Sequence, residues 1–164
     1  MKGAQRLRAY ALLGLFFFII DRISKWYALA NFQEKNIATS WLSFDLVFNR
    51  GISFGWFHSD SSTLFSLVTL VILLITSILF VYTLWQSKIL LSSGQCEKGH
   101  SIVGQILVLS GALSNIVDRF IYGGVIDFMI LTVADYTPFG IFNIADVCIV
   151  AGVGLMFITG LKDL

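Results

Sequence analysis

The longest stretch without a charged residue is SSTLFSLVTLVILLITSILFVYTLWQS, from Ser61 to Ser87. As a helix rising ~1.5 Å per residue, it is longer than the ~30 Å hydrocarbon layer of a bilayer. A second such stretch covers residues 99–117. Since a charged side chain at mid-bilayer costs about 3 kcal/mol, these stretches predict membrane-spanning helices over residues 63–85 and 101–120.

The amino-acid composition is typical of an integral membrane protein. Of its 164 residues, 57% are hydrophobic and 13% are charged, whereas ordinary soluble proteins carry about 25% charged residues. The mean hydropathy is +0.83. These values exclude a soluble globule and a disordered chain, and the formal net charge of +1 leaves no basic surface for nucleic acid.

Two further apolar segments contain charges. Residues 9–30 include Asp21, Arg22 and Lys25, and residues 141–160 include Asp146. Charges at this depth are rare, and they are generally functional or paired. We therefore expect a single domain over residues 1–164, an all-α polytopic membrane protein with four transmembrane helices.

The N-terminus imitates a secretory signal, because basic residues and an apolar run precede Ala28-Leu29-Ala30. The charges of Asp21, Arg22 and Lys25 interrupt the approach to that small-residue site, which signal peptides do not tolerate. We expect the segment to stay as a membrane helix.

Basic residues predict the orientation. With four spans both termini lie on one side, together with Lys2, Arg6, Arg8, Lys88, Lys98 and Lys162. Because cytoplasmic loops are rich in Lys and Arg, both termini are predicted to be cytoplasmic.

The outer connections are then residues 31–60 and residues 121–140. In the first, apolar residues alternate with a second set, which is the pattern of a strand with one apolar face. The apolar set is Leu42, Phe44, Leu46 and Phe48, and the second set is Ser43, Asp45, Val47 and Asn49. Residues 49–51 suggest a turn and residues 52–57 a returning strand. We expect a small β-hairpin, forming a cradle on the outer face.

Several polar side chains belong to the outer halves of the predicted helices. Asp21 and Lys25 have the i, i+4 spacing of a helical ion pair, which either neutralises itself or shapes a site. Asn115, Asp118 and Arg119 cluster on the third helix. Asp118 suits a structural role, and the guanidinium of Arg119 suits a carbonyl or a phosphate.

Asp127 and Asp146 are the candidate reactive pair, because the end of the third helix and the start of the fourth must lie close together. Two facing carboxylates in a low dielectric share a proton. One can then activate water while the other polarises a peptide carbonyl. Asn143, three residues before Asp146, can donate a hydrogen bond to the pair.

The residues alone leave alternatives open. The same carboxylates suit a proton-coupled or ion-conducting protein, and a non-catalytic membrane subunit is a third interpretation. His58 and His100 are predicted on opposite sides of the membrane, and Cys96 and Cys148 lack metal-ligand spacing. No metal site and no cofactor are predicted, and both cysteines suit apolar packing.

Five motifs resemble those of bacterial lipoprotein signal peptidases (signal peptidase II), an aspartic intramembrane peptidase family. In chain order they are Asp21-Arg-Ile-Ser-Lys25, Asn49-Arg-Gly51-Ile-Ser-Phe54-Gly55, Gly111-Ala-Leu-Ser-Asn115-Ile-Val-Asp118-Arg119, Val125-Ile-Asp127-Phe128 and Phe142-Asn143-Ile-Ala-Asp146. The departures, Ser53, Ser114 and Cys148, are small side chains.

The resemblance implies cleavage of prolipoprotein signal peptides immediately before the diacylglyceryl-modified cysteine, in the bacterial inner membrane and near its outer leaflet. It assigns catalysis to Asp127 and Asp146. Residues expected to bind substrate or support the site are Asn49, Gly51, Asn115, Arg119, Asn143, Asp21, Lys25 and Asp118. It also implies inhibition by globomycin, and we expect a monomer in contact with membrane lipid.

Overall fold

The computed structural model describes residues 3–34, 36–51, 61–93, 99–133 and 136–161. Four long helices dominate it: α1 (Gly3–Asn31), α2 (Ser62–Ser93), α3 (Gly99–Tyr122) and α4 (Ile144–Leu161). The strands are β1 (Asn36–Ile37), β2 (Leu42–Asn49), β3 (Val125–Leu131) and β4 (Ile141–Phe142).

Three of the described helices are long and apolar enough to cross a membrane, namely the segments Ser62–Ile89, Ser101–Tyr122 and Ile144–Leu161. The protein is therefore a multi-pass helical membrane protein. Helix α1 is also long, but five charged residues lie within it, and its role as a fourth span stays a prediction.

Helix α3 is the centre of the bundle, with α1, α2 and α4 packed around it. Its contact with α4 depends on small residues, as is common where membrane helices approach closely. A Cβ added to Gly104 would lie 2.8 Å from the carbonyl oxygen of Gly152, and a Cβ on Gly111 would overlap the carbonyl oxygen of Ala145. The backbones of α3 and α4 are thus in direct contact.

The strands form one antiparallel sheet in the order β1-β2-β3-β4. Strand β2 was predicted, but its described partners are β1 and β3, with Val47 opposite Asp127 and Asn49 opposite Val125. Strand β2 is therefore part of a four-stranded sheet of the described residues. The proposed returning strand, residues 52–57, lies outside the described residues, as do His58 and Cys96.

Two boundaries differ from expectation in ways that matter for the site. The predicted outer loop 121–140 contains β3, which follows α3 through Gly123, a residue with a φ of 67°. The predicted span 141–160 begins with β4, so that α4 starts only at Ile144. Asp146 is consequently in the first turn of α4, rather than five residues inside a span.

An aromatic cluster attaches the sheet to the end of α1. The ring of Phe32 stacks on Phe44 of β2 with centroids 4.6 Å apart, and it also contacts Phe128 of β3. Ala28 and Ile126 are completely buried in the same cluster. This packing places the sheet over the end of the bundle at which α3 ends and α4 begins.

Candidate active site

The site lies where β2, β3, α3 and α4 meet. A cavity of about 190 Å³ is lined there by polar side chains and a few apolar ones. Its polar lining consists of Asn49, Asn115, Arg119, Asp127 and Asp146. All five were singled out from the sequence, and the fold brings them together from four different elements.

Asp146 is held by the start of α4. The side chain of Asn143, the residue before the helix, accepts a hydrogen bond from the backbone N–H of Asp146 at 2.9 Å. The carboxylate of Asp146 accepts one from the backbone N–H of Asn143 at 3.3 Å. This reciprocal arrangement is a capping box. Asn115 of α3 donates a third hydrogen bond, from Nδ2 to Oδ1 of Asp146 at 3.0 Å.

Asp127 is held by two amides. Asn49 Nδ2 donates to its Oδ2 at 2.9 Å, and Asn143 Nδ2 donates to its Oδ1 at 2.6 Å. Asn143 therefore contacts both carboxylates, although it precedes α4 rather than lying within it. Asp127 and Asp146 are 1% and 4% exposed, and these donors supply polar contacts that buried carboxylates require.

Burial, with a further contribution from the negative charge of Asp146, raises the pKa of Asp127 from its ordinary value of 3.8 to about 7. The hydrogen bonds from Asn49 and Asn143 and the positive charge of Lys25 act in the opposite direction. Asp127 can thus be protonated or ionised near neutral pH, which is what a group that exchanges protons requires.

A buried cluster of charged side chains from α1 and α3 lies next to the site and contacts Asn115. The ammonium of Lys25 lies 2.7 Å from Asp21 and 2.8 Å from Asp118, and it donates to Asn115 Oδ1 at 2.7 Å. The expected pair of Asp21 and Lys25 is present, but it is part of a larger network. Because the side-chain oxygen of Asn115 accepts the hydrogen bond from Lys25, the side-chain nitrogen of Asn115 is directed toward Asp146.

Asp21 and Asp118 also attach α1 and α3 to the neighbouring elements. Asp21 accepts hydrogen bonds from the backbone N–H of Ala145 at 2.7 Å and from Ser114 Oγ at 2.6 Å. Asp118 pairs with Arg22 and accepts from the backbone N–H of Ile126 at 3.3 Å. The residues beside each catalytic candidate are therefore fixed by this cluster.

Arg119 reaches the cavity from the last turn of α3. Its guanidinium donates to Thr69 Oγ1 at 3.4 Å and to the carbonyl oxygen of Gly51, and it lies over the ring of Phe65 at 5.4 Å. The Gly51 turn is closed by a hydrogen bond from its N–H to Asn49 Oδ1 at 2.9 Å. Gly51 thus connects Asn49 with Arg119.

Sequence reasoning missed some members of this network. Arg22 was recognised only as a charge within a span, and Ser114 only as a small residue, whereas both contact the buried carboxylates. The depth of Arg22 in the helix is a signal that could have identified it, since charges there need partners. Nothing in the local sequence marks Thr69 as a contact of Arg119.

The fold and the site define a class of protein, a helical membrane protein with paired carboxylates beside a small cavity. The sequence signature of Signal peptidase (SPase) II matches residues 13–162, and the chain belongs to that family. It is accordingly a protease that processes signal peptides.

Individual relatives and a solved structure agree with this family assignment. The lipoprotein signal peptidase of Sphingopyxis alaskensis is 33% identical over 156 residues, covering 90% of this chain and 84% of the relative. That of Anaplasma marginale is 36% identical over 140 residues, covering 83% and 74%. A solved "bacterial membrane enzyme" is similar with a TM-score of 0.73 at 25% identity, covering 95% of this chain and 94% of the other.

Proposed function

We propose that this chain is an intramembrane aspartic endopeptidase that cleaves prolipoproteins immediately before their diacylglyceryl-modified cysteine, using water activated between Asp127 and Asp146. The observation that carries the mechanism is the position of Asn143. Its side chain donates to the carboxylate of Asp127 and its backbone N–H donates to that of Asp146, and both aspartates line the same cavity. The substrate class rests on the relatives, which are lipoprotein signal peptidases.

The two carboxylates have different surroundings, which suits them to different roles. Asp146 accepts from Asn115 and from a backbone N–H at the start of α4, where the helix dipole favours an anion. We assign to Asp146 the role of the base that takes a proton from water. Asp127, with its raised pKa, is the acid that donates to the carbonyl oxygen of the scissile peptide bond.

The proton balance closes without any other group. Water adds to the carbonyl carbon, its proton passes to Asp146, and the proton of Asp127 passes to the carbonyl oxygen. When the C–N bond breaks, Asp146 gives its proton to the leaving amine, and Asp127 recovers its own from the hydroxyl that becomes the carboxyl product. Each aspartate ends in its starting state.

Arg119 suits a role in binding the substrate. Its Nε is buried, and among the described residues it has no hydrogen-bond partner, while its other nitrogens are held by Thr69 and Gly51. A guanidinium fixed in this way beside the cavity can donate to a substrate carbonyl. Asn49 and Gly51 position that guanidinium through the turn that they form.

The membrane arrangement that we propose has four spans, including residues 9–30 of α1. The apolar side of α1 faces outward, with Leu12 66% and Ile23 57% exposed, while Asp21 and Lys25 are buried within the protein. That distribution suits lipid around the helix and charges inside it. Both termini are placed in the cytoplasm of a bacterial cell and the site near the outer leaflet of the inner membrane. The enzyme acts as a monomer, and globomycin-type inhibitors bind its cavity.

The test is cleavage of a diacylglyceryl-modified prolipoprotein by the purified enzyme. Cleavage is measured as the shift in the mobility of the substrate on a gel. Asp127→Asn and Asp146→Asn should each lower the rate by at least about a hundredfold, the usual contribution of a general acid or base. Asp45→Asn is the matched control, since Asp45 lies in the same sheet at the irregularity between Phe44 and Val47. Substantial cleavage by either site variant would refute the dyad.

The ion-conducting alternative makes a different prediction. A proton pathway through the same carboxylates would give acid-dependent flux in reconstituted vesicles without proteolysis. The family to which the chain belongs does not favour it.

A further inference from the structure

A second cavity, of about 820 Å³, lies between α1, α2 and α3. It shares no lining residue with the site cavity among the described residues. Its wall is almost entirely apolar and includes Leu15, Phe18, Leu73 and Phe80. Helices α1 and α2 both pack on α3 but barely touch one another, so that the cavity is a groove between them. We call it the α1–α2 groove.

The length of the groove indicates whether a transmembrane peptide helix or the acyl chain of a phospholipid fits it better. Along α1 it extends from Leu7 to Phe18, and along α2 from Ser87 to Leu73. At ~1.5 Å per residue these distances are roughly 16 to 21 Å. The hydrocarbon layer is ~30 Å thick, so the groove covers about one leaflet. A transmembrane peptide helix needs the full thickness, whereas the acyl chain of one phospholipid needs only its own leaflet.

Two exposed basic residues lie next to lining residues at one end of the groove, although neither is itself part of the lining. Arg8 adjoins the lining residue Leu7, Lys88 adjoins the lining residue Ser87, and both basic side chains are exposed. The hydroxyl-bearing Tyr10 lines the same end. Basic pockets between membrane helices on the cytoplasmic side are sites at which anionic headgroups bind. The apolar wall and the basic end therefore match the two parts of an anionic phospholipid.

We propose that the α1–α2 groove binds one anionic phospholipid, with an acyl chain between the two helices and its headgroup at Arg8 and Lys88. The lipid fills a space that the protein leaves open, and it joins α2 to α1 where their direct contact is sparse. This site is separate from the proposed peptidase chemistry, and its measurement does not require activity.

Native mass spectrometry of the full chain, released from nanodiscs with equal phosphatidylglycerol and phosphatidylethanolamine, tests the proposal. Retained phosphatidylglycerol should exceed phosphatidylethanolamine by about tenfold, because two basic side chains meet the headgroup. Arg8→Gln with Lys88→Gln should remove that preference, whereas Arg8→Lys with Lys88→Arg should keep it. Equal retention of the two lipids by the unaltered protein would overturn the proposal.

A groove-filling pair tests the acyl-chain site. Ala11→Trp with Ser77→Trp places bulk on the groove wall and should reduce lipid retention severalfold. The control is Leu12→Trp with Ile78→Trp, since these neighbours are 66% and 61% exposed outside the groove, and it should retain lipid normally. If the groove-filling pair instead disrupts a dimer or substrate capture with lipid retention unchanged, another chain occupies the groove and the proposal is wrong.

Discussion

At the scale of single residues, the role proposed for Asp127 predicts how cleavage should depend on pH. Its pKa is raised to about 7, so the acid form is present below this pH and is lost as the pH rises through it. Cleavage should therefore decline on the alkaline side of about pH 7. The decline reports the carboxyl that donates its proton, which in the proposed mechanism is Asp127.

Asn49→Ala tests this assignment. The amide of Asn49 stabilises the anion of Asp127, and without it the pKa should rise further. The alkaline limb of the rate profile should move upward by about one to two pH units, since a hydrogen bond to a charged group contributes about 1.5–3 kcal/mol and one unit is about 1.36 kcal/mol. Ser43→Ala, a buried polar change elsewhere on β2, should leave the limb in place. A downward shift in Asn49→Ala would contradict the assignment.

Lys25 tests whether the buried cluster serves stability, catalysis or both. Lys25→Met leaves Asp21 and Asp118 without their shared cation, and breaking a buried pair costs about 3–5 kcal/mol. We expect a large fall in the thermal midpoint. Lys25→Met with Asp21→Asn should recover part of it, because one unpaired charge is removed while an oxygen remains to accept from Ala145.

The cleavage rate of the double variant distinguishes a role of Lys25 in stability from a role in catalysis. If Lys25 also directs the Asn115 amide toward Asp146, the double variant should stay slow even where its stability recovers. Full recovery of cleavage together with stability would reduce Lys25 to a structural ion pair, the alternative that the sequence left open.

At the scale of elements, the close contact of α3 with α4 positions the site. Gly111 packs against the backbone of Ala145, directly before Asp146, and no larger side chain fits there. Gly111→Val should separate the helices, displace Asp146 from Asn115 and lower cleavage by at least about a hundredfold, the effect expected from misplacing a reacting group by about 1 Å.

The matched control for Gly111→Val is Gly154→Val, because a Cβ on Gly154 meets nothing within 4 Å. Both variants add the same side chain to a membrane helix. Cleavage and detergent stability should be normal in Gly154→Val, and equal losses in the two would attribute the effect to the valine itself rather than to the α3–α4 contact.

The elements also show what the sequence could predict. Strand β2 was predicted from its alternating side chains, whereas β3 was missed because its residues are nearly all buried and an apolar run has no period of two. Four of the five polar lining residues were identified by their polar character and depth, whereas Asn49 was identified only through the family resemblance. The connection from Lys25 through Asn115 to Asp146 was not predictable, because it depends on how α1, α3 and α4 lie side by side, which local spacing does not encode.

At the scale of the whole molecule, the distribution of charge predicts which side of the membrane each end occupies. The α1–α2 groove ends among basic residues, whereas the sheet covers the opposite end of the bundle near Asp127 and Asp146. Because basic residues stay cytoplasmic, the sheet should face the outer side. Water can enter the site there, and the acyl chains of the proposed diacylglyceryl-modified substrate can remain in the outer leaflet.

Single cysteines test this orientation in a chain that carries Cys96→Ser and Cys148→Ser. Ser40→Cys lies in the exposed turn between β1 and β2, and Gln5→Cys lies exposed in the first turns of α1. In cells with a permeabilised outer envelope and an intact inner membrane, an impermeant maleimide should label Ser40→Cys and spare Gln5→Cys. Opening the inner membrane should then expose Gln5→Cys. The reverse order of labelling would invert the topology and place the carboxylate pair on the cytoplasmic side, where a lipid anchored in the outer leaflet could not present its peptide bond.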